Sequence, residues 1–359
     1  MSDLTILSPS EQVAEHLRNE MLRGRWRGMM PGVPALSAEL AVDHKAVARA
    51  IALLEEEGLL VSQGVGRPRL ISLPEGADVP RLRVAIMAFR GPGGGGELMV
   101  DMRHQLEESG HTPYFTDKAL LDLGMNAGRV ARYARKIEAD AWVLISASRE
   151  VLDWFSKQKV PAFALAGRRH GVSIAGTGPD KPSGTAAATR RLIDLGHRRV
   201  VSLCRSQLRL PEPGLTQRAF LGEMNQAGIP TGPFNLPNWE ETQEGFEEVL
   251  DCLFAATPPT ALILDEPFLY NAAYHHLSRK GLRVPEDVSL VCTDADPSFE
   301  WCRPSVAHID WNYTPVVRRI VRWANNVARG RRDLRQTMTK AVFVDGGTVG
   351  PANSLASSR

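Results

Sequence analysis

MPGVPALSAELAVDHKAVARAIALLEEEGLLVSQGVGRPRLI, residues 30–71, decides how this chain begins. The apolar spacing predicts a short helix around Leu36 and Leu40, a tight turn, and a longer helix opened by Asp43 and closed by Gly58. Two strands around a glycine-bearing tip should follow. On the longer helix Val47, Ala50, Ile51 and Leu54 fall on one side, which leaves His44, Lys45, Ala48, Arg49 and Ala52 on the other. Upstream, Ser8-Pro9-Ser10-Glu11 has the form of a capping box with proline in the first turn, so another helix should start there and bury Val13, Leu17, Met21 and Leu22.

Three helices and a two-stranded wing make a winged helix-turn-helix, whose exposed face of small and basic residues can enter a major groove. His44, Lys45, Arg49, Gly66, Arg67 and Arg69 are the expected DNA-contacting residues, and the Arg67-Pro68-Arg69 wing has no packing purpose legible in the sequence. Residues 1–74 carry eight Arg or Lys against nine Asp or Glu. Affinity for DNA must therefore come from local placement of charge and from pairing two modules.

The stretch resembles the GntR-type winged helix, which runs Leu-Pro-Ser, Leu-Ala, Leu-Gly-Val-Ser-Arg, Val-Arg, Ala-Leu, Leu and Gly-Leu before a glycine-containing wing. Met30-Pro31, Leu36, Leu40, Val42, Val47, Ala50-Ile51, Leu54, Glu57-Gly58-Leu59 and Gly64 to Gly66 follow that pattern. Asp43-His44 stand in place of Ser-Arg, and Ala48 stands where the family has arginine, with Arg49 one place along.

At 359 residues, 43% hydrophobic, with net charge +2, the chain has room for this module and a larger two-lobed domain. No apolar run approaches the ~20 residues of a membrane span and no leader is legible before Ser8, so a cytoplasmic protein without membrane contact is expected. Cys204, Cys252, Cys292 and Cys302 lack metal spacing and read as reduced thiols. Residues 74–81, rich in proline, read as a linker between a module at 1–73 and a domain at 82–350.

Beyond the linker, strand and helix alternate. Strands are expected at 83–89, 113–116, 141–145, 161–165, 200–203, 261–264, 288–292 and 341–344. Helices are expected at 97–109, 127–138, 149–157, 183–195, 217–227, 246–255, 270–280 and 313–329. The fold class is therefore α/β, with parallel sheets covered on both faces.

Several phrases resemble the effector domain of LacI/GalR repressors, which is periplasmic-binding-protein-like. They are Asp180-Lys-Pro-Ser-Gly184, Leu192-Ile-Asp-Leu-Gly-His-Arg-Arg-Val-Val201, Thr260-Ala-Leu-Ile-Leu-Asp-Glu266, Gly281-Leu-Arg-Val-Pro-Glu-Asp-Val-Ser289, Thr293-Asp294 and Pro304. A GntR-type reader before such a domain is the arrangement of arabinose-type repressors. The resemblance implies lobe one at 82–175 and 306–330, lobe two at 176–305 and 331–350, a sugar-like effector between them, and a homodimer on operator DNA.

It also implies effector contacts. Asp294 follows an apolar strand, at the edge where open parallel sheets bind ligands. Asp265 and Glu266 end the preceding strand, and Arg90 lies in the loop after the first one. The family arginine that precedes Gly-Phe is replaced by Thr216 ahead of Ala219-Phe220, which leaves Arg218 as the candidate. Trp239, Trp301 and Trp311 could stack on a sugar face. Leu195-Gly196-His197-Arg198-Arg199-Val200 reads as a structural helix-to-strand turn.

A rival reading comes from Gly91, Gly93 and Gly96, which satisfy G-x-G-x-x-G between a strand and a helix, with Asp117 beyond the second strand. On that reading the protein would be an NAD(H)-sensing redox regulator. No serine elbow, metal-binding histidine pair or lysine-bearing phosphate loop is present in the sequence, and the chain is too short for the aminotransferase-like domain of other GntR-type proteins. No enzyme, cofactor or metal is expected.

Overall fold

Ser8 and Glu11 exchange capping bonds in the computed structural model, which describes residues 8–22, 25–26, 28–64, 67–72, 81–91 and 96–353. The Ser8 N–H donates to Glu11 Oε2 at 2.6 Å and the Glu11 N–H to Ser8 Oγ at 3.4 Å, which starts α1 (Pro9–Leu22). α2 (Val33–Leu40) ends at Ala41, a residue with left-handed backbone at φ 53°. Asp43 then caps α3 (His44–Glu56) by accepting from the Lys45 N–H at 3.0 Å. β1 (Leu60–Val61) and β2 (Leu70–Ile71) pair antiparallel as the wing. Val13, Leu17, Met21, Leu36, Val47, Ile51 and Leu54 are buried together, so the helical periodicity read from the sequence places the core correctly. The linker falls outside the described residues apart from Arg81.

The next sheet is built from β3 (Arg83–Met87), α4 (Gly96–Glu108), β4 (Thr112–Phe115), α5 (Ala127–Ala134), β5 (Ala141–Ile145), α6 (Arg149–Phe155), β6 (Ala162–Leu165) and β7 (Ala175–Thr177). Its strand order is β4-β3-β5-β6-β7 and its first four strands are parallel. The chain winds to one side of β3 and then to the other, so the order reverses between β3 and β5, where such sheets leave a crevice.

The second sheet follows α7 (Lys181–Asp194). It comprises β8 (Val200–Leu203), α8 (Ser206–Arg209), α9 (Leu215–Gln226), α10 (Gln243–Ala256), β9 (Ala261–Leu264), α11 (Pro267–Arg279), β10 (Ser289–Cys292) and β11 (Ala307–Trp311). α12 (Thr314–Ala328) precedes the last strand, β12 (Ala341–Val344). The order is β8-β9-β10-β11-β12, parallel except for β12. On the outer edge of β8, the Ser202 N–H donates to the Asn235 carbonyl at 2.8 Å. The chain therefore passes to one side of β8 before reaching β9 on the other, which repeats the winding of the first sheet and puts a second reversal between β8 and β9.

Alternation of side chains sets the two faces. Leu203, Leu264, Leu290 and Cys292 pack under Leu250, Leu269 and Leu277 of α10 and α11, while Ile263, Val291 and Ala307 pack with Leu192, Phe220 and Met224 of α7 and α9. At the turn before β8, Gly196 has φ 90° and His197 is buried, with Nδ1 2.9 Å from Thr260 Oγ1 and Nε2 2.9 Å from the Gly350 carbonyl. The Leu195 to Val200 turn thus clamps the segment near Gly350 to the sheet.

Two compact units contain these sheets. One holds residues 1–165, 171–175 and 317–335, the other 166–170, 176–316 and 336–359. The expected return to the first lobe at 306–330 differs from this over residues 306–316, because β11 is a strand of the second sheet, with Ala307 and Ile309 fully buried. Likewise 331–335 stay with the first unit, where Asp333 accepts from both Arg319 Nη atoms at 3.1 and 2.9 Å and from Asn326 Nδ2 at 3.0 Å. Burial alone would raise the Asp333 carboxyl, but bonds from Arg335, Asn326 and Arg319 hold it at about 2.

Candidate nucleic-acid and ligand sites

The outer face of α3 is open. His44, Lys45, Ala48, Arg49 and Ala52 are all exposed, opposite the buried Val47, Ala50, Ile51 and Leu54. The helix N-terminus, with its partial positive charge, adds to Lys45 and His44 at one end of this face. Arg49 lies one turn on, close enough to Glu11 to help hold that carboxyl below its usual range, chiefly set by the Ser8 hydroxyl and N–H.

The wing residues divide. Arg67 is exposed, and Gly66 falls outside the described residues. Arg69 turns inward, its Nε donating to Glu55 Oε1 of α3 at 2.8 Å, and its carbonyl accepts from the Met30 N–H at 2.8 Å. Arg69 therefore does have a packing purpose, contrary to the expectation for this stretch: it ties the wing to α3.

The other candidate site lies at the carboxyl edge of the second sheet. Arg205, two residues past β8, is buried and donates to Asp265 at 3.2 Å and to Glu266 at 3.0 Å, both just past β9. This pair of contacts spans the reversal point between β8 and β9. Burial opposes the Arg205 charge, but Asp265 and Glu266 more than offset it and raise its pKa. Next to β10, Asp294 accepts from Lys181 Nζ at 2.5 Å through one oxygen and from Trp311 Nε1 at 3.3 Å through the other. Burial likewise disfavours the Lys181 ammonium, and Asp294 and Asp265 together more than restore it. Thr293 Oγ1 donates to the Asp265 carbonyl at 2.8 Å, which joins the ends of β9 and β10.

Asp265, Glu266 and Asp294 are thus brought to one edge, as the sequence predicts, but each already has a cationic partner. Glu266 sits at the N-cap of α11, yet its side chain pairs with Arg205 instead of capping. Sequence reasoning missed Arg205 and Lys181, because ion pairs to residues 60 and 113 positions away leave no periodic signal. Arg218 is not brought to this edge by burial: it is exposed on α9, and its neighbour Gln217 is the buried residue. Arg209 is buried instead, donating to the carbonyls of Cys204 and Trp239 and to Asn238. The Cys204 thiol beside it is pushed up to about 12 by burial and serves as a neutral packing group.

Of the three tryptophans, Trp311 belongs to the site through Asp294, and Trp239 is a packing residue with its ring edge-on to Phe246 and its Nε1 on the Cys204 carbonyl. Trp301 is 87% exposed. In the first unit Arg90 is exposed just past β3, its guanidinium 5.7 Å from the Phe89 ring centre. Gly93 lies outside the described residues. At Gly91 and Gly96 an added Cβ would meet nothing within 4 Å, so the close helix-to-strand approach that the last glycine of a dinucleotide loop serves is not what requires glycine here. Asp117 accepts from the Tyr133 hydroxyl.

Comparison with known proteins agrees with both halves. The model for bacterial regulatory proteins of the gntR family matches residues 9–67, and that for a periplasmic binding protein-like domain matches residues 189–349. The HTH-type transcriptional repressor PurR of Pasteurella multocida is 31% identical over 108 residues, 30% of this chain and 32% of the relative, and PurR of Haemophilus influenzae (strain PittEE) gives the same figures. The chain spans about a third of the length of these curated relatives. Among solved structures, a CelR–cellobiose complex is similar with TM-score 0.63 and 16% identity, over 89% of this chain and 100% of that one. A LacI family regulator from Enterococcus faecium with bound ribose is similar with TM-score 0.59 and 15% identity, over 76% and 100%. At such identity these structures establish the fold. No helix among the described residues is long and apolar enough to cross a membrane.

Proposed function

We propose that this chain, a gntR-type DNA-binding module joined to a periplasmic-binding-protein-like domain, is a transcriptional regulator that represses genes of carbohydrate use under the control of a sugar-like metabolite. What supports the DNA role most is the outer face of α3, where exposed basic and small side chains stand opposite a fully buried apolar stripe. Lys45 and Arg49 read base edges, while His44, Gly66 and Arg67 meet the backbone. A module of near-zero net charge makes few phosphate contacts, so the protein binds two half-sites as a homodimer.

The effector binds at the carboxyl edge of the second sheet, with Asp294, Asp265 and Glu266 as its polar contacts and Trp311 as its apolar one. Similar structures solved with bound ribose and as a cellobiose complex favour a sugar-like ligand. Ligand and DNA are coupled because the effector favours one conformation of the domain and the operator another, for which ~1–3 kcal/mol suffices. Selection of DNA from a random duplex pool by the full-length protein, followed by footprinting with and without candidate sugars, tests this. Two protected half-sites that respond to a sugar in the parent protein, and no longer respond in Asp294→Ala, are the expected result. Absence of any selected sequence would overturn it.

A further inference from the structure

Residues 314–335, TPVVRRIVRWANNVARGRRDLR, hold seven arginines and one acid, in a chain whose net charge is only +2. The acid, Asp333, is buried and paired with Arg319 and Arg335. Helical spacing sorts the other arginines. Val316, Val317, Ile320, Trp323 and Ala324 of α12 are buried, which sets Arg318 and Arg322 in an exposed row on the opposite side. Arg329 continues that row, because its N–H still donates to the Asn325 carbonyl at 3.3 Å, and Arg331 and Arg332 are exposed just beyond it. Among the described residues none of these five guanidiniums is in an ion pair.

The fold gains little from so many unpaired cations. One of Arg329, Arg331 and Arg332 is enough to complement the carbonyl end of α12. Arg318 and Arg322 lie further from that end, as a like-charge pair at i, i+4 that weakens a helix. Burial lowers the pKa of Arg319, Asp333 opposes that, and Arg335 and Arg322 add to it, so the row also repels a charge inside the fold. A polyanion would relieve all of this.

The place of the row identifies the polyanion. Asn325 Oδ1 lies 3.1 Å from Nε2 of His111, just before β4, and Nδ1 of His111 accepts from the N–H of Leu82, just before β3, at 3.3 Å. α12 therefore meets the amino edge of the first sheet, where the chain arrives from the winged module, and exposed Arg81 stands at the point of entry. The acids ahead of His111 lean along their own helix, Glu107 toward Arg103 at 3.8 Å and Glu108 toward His104 at 3.1 Å. From Ser72, beside the wing, to Arg81 the chain spans at most ~30 Å, so a duplex held by α3 is tethered close to the row. A membrane surface would require an apolar face beside the cations, and that of α12 is buried.

We propose that Arg318, Arg322 and Arg329, extended by Arg331 and Arg332, form a second DNA surface: they contact backbone phosphates flanking the site that α3 reads and supply the phosphate contacts that the near-neutral module lacks. The helix advances ~16 Å from Arg318 to Arg329, against ~3.4 Å of rise per phosphate on one strand, so three arginines can meet three phosphates. This goes beyond the α3 face and rests on the reading of the chain as a DNA-binding regulator.

The test is binding of the full-length protein, across salt concentration, to a selected operator trimmed to its half-sites, to the same operator with flanking duplex on both sides, and to a random duplex of the longer length. The parent should bind the flanked operator about tenfold more tightly than the trimmed one and with a steeper salt slope. The triple variant Arg318→Gln, Arg322→Gln, Arg329→Gln should lose that advantage and flatten the slope by about two to three ions per protomer, with sequence preference kept. Arg318→Lys, Arg322→Lys, Arg329→Lys should restore both, because a phosphate contact needs only the charge. All three positions are exposed, so both variants should fold, which circular dichroism checks. Equal affinity and slope of parent and glutamine variant on the flanked operator would overturn the proposal. So would binding of the parent to phosphatidylserine vesicles that the glutamine variant loses while its DNA binding is unchanged, since the row would then belong to a membrane. If no operator is selected, the reading of α3 fails, and the random duplex still decides for the row: weaker binding by the glutamine variant upholds it, and equal binding overturns it.

Discussion

The outer face of α3 and the carboxyl edge of β8 to β11 are both read as binding surfaces, and they keep their charges in opposite ways. On α3, Lys45 and Arg49 stand exposed, free to be neutralised by phosphates or bases. At the sheet edge, Arg205 and Lys181 are drawn into ion pairs within the fold. A surface for a polyanion can leave cations in water at little cost, since exposed charges are well solvated. A site for a small polar ligand must keep its groups partly dry, and dry charges need partners when the ligand is away.

That contrast predicts different costs of mutation. The largest should fall at the sheet edge: removal of one member of the Arg205–Asp265 pair, as in Arg205→Met, should destabilise the second unit by ~3–5 kcal/mol, because the Asp265 carboxylate is left buried without its guanidinium. Urea denaturation of the full-length protein measures it, and a loss under ~1 kcal/mol would show that the pair is solvated. On α3 the cost should appear in binding. Lys45→Ala or Arg49→Ala should lose ~1–3 kcal/mol of operator affinity with little change in folding stability, and should relax sequence preference where a base contact is lost. Fluorescence anisotropy against matched and mismatched duplexes reads both effects.

Acid should separate the two kinds of charge as well. His111 and His197 are buried neutral: burial lowers both pKa values below 6.5, only partly offset by Asn325 at His111 and the Gly350 carbonyl at His197. His111 Nδ1 accepts the Leu82 N–H, a bond that protonation would break. Their contribution is whole above the unfolded value near pH 6.5 and is lost as the pH falls from there toward the lowered folded values. Asp333, held at about 2, adds a further loss only below about pH 4. Thermal melts between pH 8 and pH 3, as a rough span, should therefore decline in two stages; a flat profile from pH 7 to 5 would mean that these histidines are not neutral in the fold.

Smaller effects sharpen the division within the wing. Arg67→Ala should weaken binding to all DNA sequences and reduce the slope of affinity against salt by about one ion, as loss of a phosphate contact does. Arg69→Ala should cost ~0.2–1 kcal/mol of stability by releasing the half-exposed Glu55 pair, with the DNA contacts of the α3 face intact. Ala41→Gly should stabilise the module by ~0.5–1 kcal/mol, since a left-handed residue at φ 53° carries a Cβ where the related pattern has glycine.

The sequence was most legible where recognition depends on local periodicity. The α3 stripe, the Asp43 cap, the Ser8 capping box and the strands 141–145, 200–203, 261–264 and 341–344 follow from residues within one turn or one strand of each other. β7 escaped because three residues containing a glycine carry no alternation, and β11 because Ala307-His308-Ile309-Asp310-Trp311 alternates with a polar face that reads as loop. The strand-end acids were found because an apolar run that stops at a carboxylate is visible in one dimension. Their partners were not, since Lys181 and Arg205 reach them through the tertiary fold. Arg69 was misread for the same reason: its carboxylate is 14 residues earlier, on the helix it braces.

The central claim is that the open face of α3 and its wing read DNA. Its most direct test is the binding of a selected duplex to the full-length protein and to the triple variant Lys45→Ala, Arg49→Ala, Arg67→Ala, titrated across salt concentration. The parent should bind with strong salt dependence, and the triple variant, folded to the same extent, should lose most of the affinity and show a shallower salt slope. Equal affinity and equal slope for the two proteins would contradict the account.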